Sequence, residues 1–258
     1  MKFTKMHGTG NDYIYVNGFE EKVSNPSKLS VKLSDRHFGI GADGLIIIMP
    51  SKVADVRMLM FNADGSEGEM CGNGIRCVGK YAYEHGIAKK EKMTVETTSG
   101  VKSLELFVKN GKVDSVTVDM GEAKVGKDAK ITIDGRTFGY IPVDVGNPHA
   151  VIFIDEITDD LVLGTGPKIE KNFPGGVNVE FIKPKSKKEL DFRVWERGSG
   201  ETMACGTGAC AAVAAGIAKG LLDKKVTVHL KGGDLEIELK NGHVFMTGNA
   251  VEVFSGEI

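Results

Sequence analysis

Along the first half of the chain, apolar residues recur with period two or in short runs over residues 13–16, 45–48, 56–61, 92–97, 104–108 and 113–118. That pattern, rich in β-branched and aromatic side chains, predicts strands. Asn110-Gly111 and Asn241-Gly242 each lie between two such runs, and Asp134-Gly135 is a third dipeptide of the same kind. These dipeptides tolerate the left-handed backbone of a two-residue turn, so hairpins are expected at all three. Helical patterning is scarcer. One long helix is expected over 74–83 and another over 208–218, each starting directly after a Cys-Gly-x-Gly. The second, GACAAVAAGIA, is apolar on every side and should be buried within its own domain.

The two Cys-Gly-x-Gly segments belong to a longer internal repeat. Cys71-Gly72-Asn73-Gly74 returns 134 residues later as Cys205-Gly206-Thr207-Gly208, and Gly86-Ile87-Ala88-Lys89 returns after 130 as Gly216-Ile217-Ala218-Lys219. Thr94-Val95 matches Thr227-Val228, Lys109-Asn110-Gly111 matches Lys240-Asn241-Gly242, and Gly10-Asn11 matches Gly146-Asn147. Such a period is too long for a solenoid unit. The expected fold is therefore α+β: two domains related by a pseudo-two-fold axis, each a mostly antiparallel sheet curled around one central helix. The expected division is 1–116, carrying Cys71, and 117–258, carrying Cys205, with the last strand able to return to the first domain.

Composition narrows the function. Lys and Arg number 33 against 35 Asp and Glu, so the chain lacks the basic excess of a nucleic-acid binder. The longest strongly apolar stretch, 45–49, is far below the roughly 20 residues that span a bilayer. The opening MKFTKMHGTG has no apolar signal core, and the expected compartment is the cytoplasm. Structural disulfides are not expected in that setting. The spacings C-x₅-C and C-x₄-C also miss the C-x₂-C knuckles of structural zinc sites. No metal is expected, nor any dinucleotide. Gly39-Ile40-Gly41-Ala42-Asp43-Gly44 fits G-x-G-x-x-G literally but opens into a strand, where the dinucleotide fingerprint must open a helix.

The chemistry concentrates at Cys71 and Cys205. Each precedes a helix start, where backbone N–H groups and the helix dipole favour an anion. The dipole alone is worth at most ~2 kcal/mol. That corresponds to a pKa depression of up to ~1.5 and would place each thiol near neutrality. The same N–H groups can hold a carboxylate beside the sulfur. Two thiols facing each other across a ligand suit a two-base racemisation: one removes an α-proton while the other protonates the opposite face. Helix N–H groups would stabilise the enolate-like charge. Cys77 and Cys210 lie about 240° and 140° around their helices from these thiols and read as core residues. A thiol redox switch or thiol-ligated metal module is the rival class. It would need a reversible disulfide or stoichiometric metal.

Longer motifs surround the cysteines. Met6-His7-Gly8-x-Gly10-Asn11-Asp12, Arg36-His37-x-Gly39-Ile40-Gly41-x-Asp43 and Phe61-Asn62-Ala63-Asp64-Gly65-Ser66-Glu67 precede Cys71-Gly72-Asn73-Gly74-x-Arg76-Cys77. Gly146-Asn147-Pro148-His149, Gly176-Val177-Asn178 and the block from Glu196-Arg197-Gly198 to Cys205-Gly206-Thr207-Gly208-Ala209-Cys210 complete the set. Over essentially its whole length the chain resembles the diaminopimelate epimerase family. The resemblance implies a cofactor-independent epimerase that interconverts LL- and meso-2,6-diaminopimelate in lysine and peptidoglycan-precursor synthesis. It also implies a homodimer, with Cys71 and Cys205 as proton donor and acceptor and His149 and Glu196 flanking the reacting centre. Gly72, Asn73, Gly206 and Thr207 would hold the reacting carboxylate. Asn11, Asn62, Asn147, Asn178, Glu196 and Arg197 would bind the rest of the substrate. Taken singly, the asparagines read as turn formers and Glu196–Arg197 as a surface pair; the assignment rests on their joint placement. One departure stands out: the family often has Gln where this chain has Gly44, the repeat counterpart of Asn178. Another amino-acid racemase on the same fold is the alternative, separable by testing proline, hydroxyproline and lysine as substrates.

Overall fold

The computed structural model describes residues 1–258. The chain folds as two compact units, one of Met1–Val118 with Gly248–Ile258 and one of Asp119–Thr247. The first contains β1 (Lys2–Gly8), β2 (Asn11–Asn17), α1 (Pro26–Ser34), β3 (Gly44–Met49), β4 (Val56–Asn62), β5 (Glu67–Gly68), α2 (Gly72–Glu84), β6 (Lys92–Thr97), β7 (Gly100–Lys109) and β8 (Lys112–Glu122). Strands β1 and β2 form a hairpin, and β3–β4, β6–β7 and β7–β8 are also antiparallel. The pairs β2–β3 and β4–β6 are parallel. The final strand, Val251–Glu257, pairs antiparallel with β1.

The second unit runs β9 (Lys124–Val125), β10 (Ala129–Ile133), β11 (Arg136–Asp144), β12 (Pro148–Phe153), a π-helical segment (Asp160–Thr165) and α3 (Gly166–Lys171). It continues with β13 (Asn178–Ser186), β14 (Glu189–Glu196), β15 (Gly200–Glu201), α4 (Gly206–Ala218), β16 (Lys225–Leu230), β17 (Gly233–Lys240) and β18 (His243–Asn249). Its pairings repeat those of the first: β11–β12 antiparallel, β12–β13 parallel, β13–β14 antiparallel, β14–β16 parallel, then β16–β17–β18 antiparallel. Most pairs in each unit are antiparallel, but two are parallel. A parallel pair needs a crossover. These crossovers contain α1 and α2 in one unit and the π-helical segment with α3, then α4, in the other.

The side chains of each sheet sort by the two-residue period. Leu45 and Ile47 of β3 pack with Ile14, Val16, Leu33 and Phe61. Ile46 faces the other way, against the first turn of α2, where a Cβ on Gly74 would lie 2.7 Å from its Cδ1. In β13, Val179 and Phe181 join Ile152, Leu161, Val162 and Ile169. Glu180, one residue between them, turns toward the start of α4. Helix α2 packs on β1, β2, β4, β6 and β7, and α4 on β9, β11, β12, β13 and β17. Residues 208–216 of α4 are buried on every side.

Both residues of each expected hairpin dipeptide have positive φ: 52° and 75° at Asn110-Gly111, 53° and 85° at Asn241-Gly242, 50° and 78° at Asp134-Gly135. The β1–β2 turn has the same geometry at Thr9-Gly10, with φ of 55° and 80°. A β-branched residue rarely adopts that conformation. Here the Thr9 hydroxyl accepts a 2.7 Å hydrogen bond from the buried Arg76 guanidinium. The glycine-rich segment 39–44 closes the C-terminal end of α1, where the Ile40 and Gly41 N–H groups both donate to the Leu33 carbonyl at 2.9 Å. It then runs into β3, as the sequence pattern predicts. No helix is long and apolar enough to cross a membrane.

Candidate active site

Both helices begin two residues earlier than the glycine pattern suggests, because Cys71 and Cys205 are themselves the N-caps. Each has an extended backbone (φ −126°, ψ 116° and φ −112°, ψ 107°), and its side chain accepts from the N–H three residues on. The Gly74 N–H to Cys71 Sγ and Gly208 N–H to Cys205 Sγ distances are both 3.3 Å. Sulfur thus occupies the place usually taken by a Ser, Thr, Asp or Asn oxygen, at the positive end of the helix.

The surroundings of the two sulfurs differ. Around Cys71, Asn11 is the hub: its Oδ1 accepts from the Cys71 thiol at 3.1 Å and from Asn73 Nδ2 at 3.3 Å, while its Nδ2 donates to Asp43 at 2.7 Å. Asp43 pairs with Arg36 at 2.9 Å, and Arg36 with Asp12 at 2.8 Å; Lys5 closes the network on Asp12 at 2.7 Å and on the Gly41 carbonyl. Burial would push the Asp12 carboxyl up, but Arg36 and Lys5 outweigh it and hold it below the usual range. Tyr13 lies beside the thiol. Burial first, and then Cys71, drive its phenol well above the ordinary value. Arg76 anchors the turn that carries Asn11 and also bonds the Gly72 carbonyl at 3.2 Å.

Cys205 is only 4% exposed and lies among ionisable groups. His149 Nδ1 meets Glu180 Oε1 at 2.6 Å with both side chains fully buried, and its Nε2 meets Asn147 Oδ1 at 2.9 Å. Asn147 Nδ2 reaches the Thr207 hydroxyl at 3.4 Å, which lies 3.6 Å from the Cys205 sulfur. Glu196 accepts from the Thr202 hydroxyl, and burial raises its carboxyl despite that bond and the neighbouring Cys205 thiol. For Cys205 the expectation of a near-neutral thiol is therefore wrong. Burial, and then Glu196 and Glu180, push it well above the ordinary thiol range. A helix start offers at most ~2 kcal/mol toward the thiolate. Desolvation and two nearby carboxylates outweigh that.

Asn62, at the end of β4, donates from Nδ2 to Ser66 at 2.9 Å. Asn178 is 4% exposed and ties the start of β12 to the turn after β14: Nδ2 donates to the Pro148 carbonyl at 3.0 Å and Oδ1 accepts from the Arg197 N–H at 3.0 Å. One amide hydrogen and one lone pair are left over. Arg197 is exposed on the turn after β14, with its stem against Gly176. At Gly44 a Cβ would fall 2.2 Å from the Phe61 carbonyl oxygen and 2.9 Å from the Tyr13 ring, so this backbone has no room for a longer residue. Cys77 and Cys210 are fully buried. Desolvation pushes the Cys77 thiol up to about 11, which suits a core residue. Within the first unit, Asn11, Gly72 and Asn73 gather at Cys71; within the second, Asn147, His149, Glu196, Gly206 and Thr207 gather at Cys205.

Three neighbours escape the sequence reading: Tyr13, Asp43 and Glu180. Glu180 carries a visible signal, a single acid between the apolar residues Val179 and Phe181. Asp43 was masked by its place in the glycine-rich segment, and Tyr13 by its fit to a strand.

The model for "Diaminopimelate epimerase" matches residues 3–126 and 141–253. A diaminopimelate epimerase of Acetivibrio thermocellus is 51% identical, covering 100% of this chain and 98% of the relative. One from Methanococcus maripaludis is 49% identical, covering 100% and 99%. Solved structures share the fold at much lower identity. A hydroxyproline epimerase from Agrobacterium vitis has a TM-score of 0.76 at 18% identity, covering 99% of this chain and 91% of its own. A Bacillus anthracis protein of the PhzF family also has a TM-score of 0.76, at 16% identity, covering 100% and 98%. With nearly the whole chain matched by the family model and by relatives of such identity, the protein belongs to the diaminopimelate epimerase family of isomerases.

Proposed function

We propose that the protein interconverts LL- and meso-2,6-diaminopimelate by proton transfer between two thiols and an α-carbon, without a cofactor. The observation that carries this reading is the repeated sulfur cap: Gly74 and Gly208 each donate a 3.3 Å N–H bond to a cysteine at a helix start. One thiolate takes the α-proton from one face and the opposite thiol supplies a proton to the other. Gly72, Asn73, Gly206 and Thr207 hold the reacting carboxylate, whose developing charge the helix starts stabilise. Asn11, Asn62, Asn147, Asn178 and Arg197 bind the rest of the substrate. Glu196 and His149 handle charge at Cys205. The substrate ammonium would offset the carboxylates there and ease formation of the thiolate. The site is proposed to work in the cytoplasm, in a homodimer. The exposed Val253, Phe254 and Ile258 near the C-terminus offer apolar surface for such a contact, which sedimentation would test.

The test is α-proton exchange in D₂O under reducing conditions, with LL-diaminopimelate, lysine and proline as substrates. Wild type should incorporate deuterium into diaminopimelate with inversion, and Cys71→Ser and Cys205→Ser should each lower the rate by about 10²-fold or more. Exchange into proline instead would replace the substrate. No exchange into any amino acid would overturn the reading.

A further inference from the structure

We propose that Glu180 is a positioning residue for the Cys205 site: it locks the His149 ring so that the Asn147 amide is presented to Thr207 in one orientation. The proposal rests on the reading of Cys205 as a proton-transfer group. Glu180 is the third residue of β13, register-paired with Val151 of β12, and its side chain is fully buried. One oxygen meets His149 Nδ1 at 2.6 Å, and the other makes no hydrogen bond. A buried carboxylate with a single partner is expensive for the fold. The repeat shows what packing alone accepts in its place. Its counterpart in the first unit, 134 residues earlier, is Ile46, which faces the equivalent helix start through Gly74. A well-packed apolar residue at such a point is commonly neutral or stabilising relative to a buried ion pair.

The groups facing Glu180 are His149 from β12, the Cys205 thiol with the first turn of α4, and Glu196 at the end of β14. A Cβ on Gly208 would lie 2.9 Å from Glu180 Oε1 and 3.1 Å from Cys205 Sγ. The carboxylate and the sulfur are therefore within about 6 Å of each other, and glycine at 208 leaves room for both. A carboxylate can only accept from Nδ1–H, so it fixes where that proton sits. Asn147 Oδ1 also only accepts, so the 2.9 Å contact needs a second hydrogen, on Nε2; the ring between the two oxygens carries both, and Nδ2 of the same amide is left to reach Thr207. A glutamine at 180 keeps the volume but brings no charge to balance a ring with two N–H groups, so the ring can give up one hydrogen and the Asn147 amide can turn over.

The experiment uses the full chain labelled with ¹⁵N-histidine. Wild type should show a proton on His149 Nδ1, shifted far downfield by its short bond to Glu180 and slow to exchange. Glu180→Gln should lose that signal while melting cooperatively. Its kcat for diaminopimelate should fall about 10- to 100-fold, the range seen when outer partners of functional histidines at metal sites are removed, with KM changing little. A folded Glu180→Gln that keeps both the signal and kcat within about twofold overturns the proposal. If that variant does not fold, the wild-type spectrum decides: a His149 Nδ1 without a bonded proton overturns it. The spectrum needs no substrate, so it is independent of the Cys205→Ser exchange result.

Discussion

The two sulfur-capped helix starts share one backbone geometry and differ in the charge around them. Near Cys71 stand Tyr13 and Ile46; at the matching places near Cys205 stand His149 and Glu180, with Glu196 beside them. The equivalent asparagines also present opposite ends of their amides. Asn11 turns its oxygen to Cys71 and Asn73, held by Asp43, whereas Asn147 turns its nitrogen to Thr207, held by His149. The backbone geometry that favours an anion is the same in both units. At Cys205, burial and then the carboxylates on β14 and β13 raise the thiol in spite of that geometry.

The sharpest way to break this contrast is to discharge the second site. Glu196→Gln removes a carboxylate beside Cys205 and should lower kcat/KM by about 10²-fold. The wild-type acid limb should also disappear from the pH–rate profile. Burial raises the Glu196 carboxyl, so its ionised form is lost as pH falls through a value above the ordinary carboxylate range. An unchanged acid limb in the variant would assign that limb to another group.

Thiol alkylation compares the two sites directly. Cys205 is nearly buried and its thiol is raised, whereas Cys71 is partly exposed. At pH 8 iodoacetamide should label Cys71 at least about tenfold faster, as read by peptide mass spectrometry. Equal rates would remove the claimed asymmetry. Asp43→Asn probes the first site, since an amide at 43 no longer dictates which end of Asn11 faces the thiol. Loss of one charge-assisted bond should cost about tenfold in kcat.

The remaining effect is on stability and appears only at alkaline pH. The folded-state value of about 11 for Cys77 lies above the ~8.5 of an unfolded thiol. The native state therefore holds that proton more tightly. Stability is unaffected below pH ~8.5 and falls by about 1.4 kcal/mol per pH unit as pH rises toward 11. Denaturant midpoints for Cys77→Ala should lack this contribution to the alkaline decline.

Much of this was readable along the chain, for reasons that differ by element. The Asn-Gly and Asp-Gly turns carry their own backbone preference, and the strands of β3 and β6 carry their own periodicity. Helix α2 starts at Gly72, not Gly74, because the sulfur cap compensates for glycines that helix propensity disfavours. Helix α1 is hard to read from the sequence although Asn25 caps it and Pro26 opens it, since its apolar positions are few. Gly164, Gly166 and Pro167 disguised the π-helical segment and α3 as a loop. The parallel pairs and the charge around Cys205 depend on residues from separate strands. No local pattern can carry them.

The last strand sets the order in which the molecule is completed. Val251–Glu257 pairs with β1 from Lys2↔Glu257 onward, so β1 waits for a partner made much later in the chain. At ~5–20 residues per second, synthesis leaves that β1 edge open for about 10 to 50 s. An unpaired edge is a template for the wrong chain. Truncation by ten residues at the C-terminus would make that nascent vulnerability permanent.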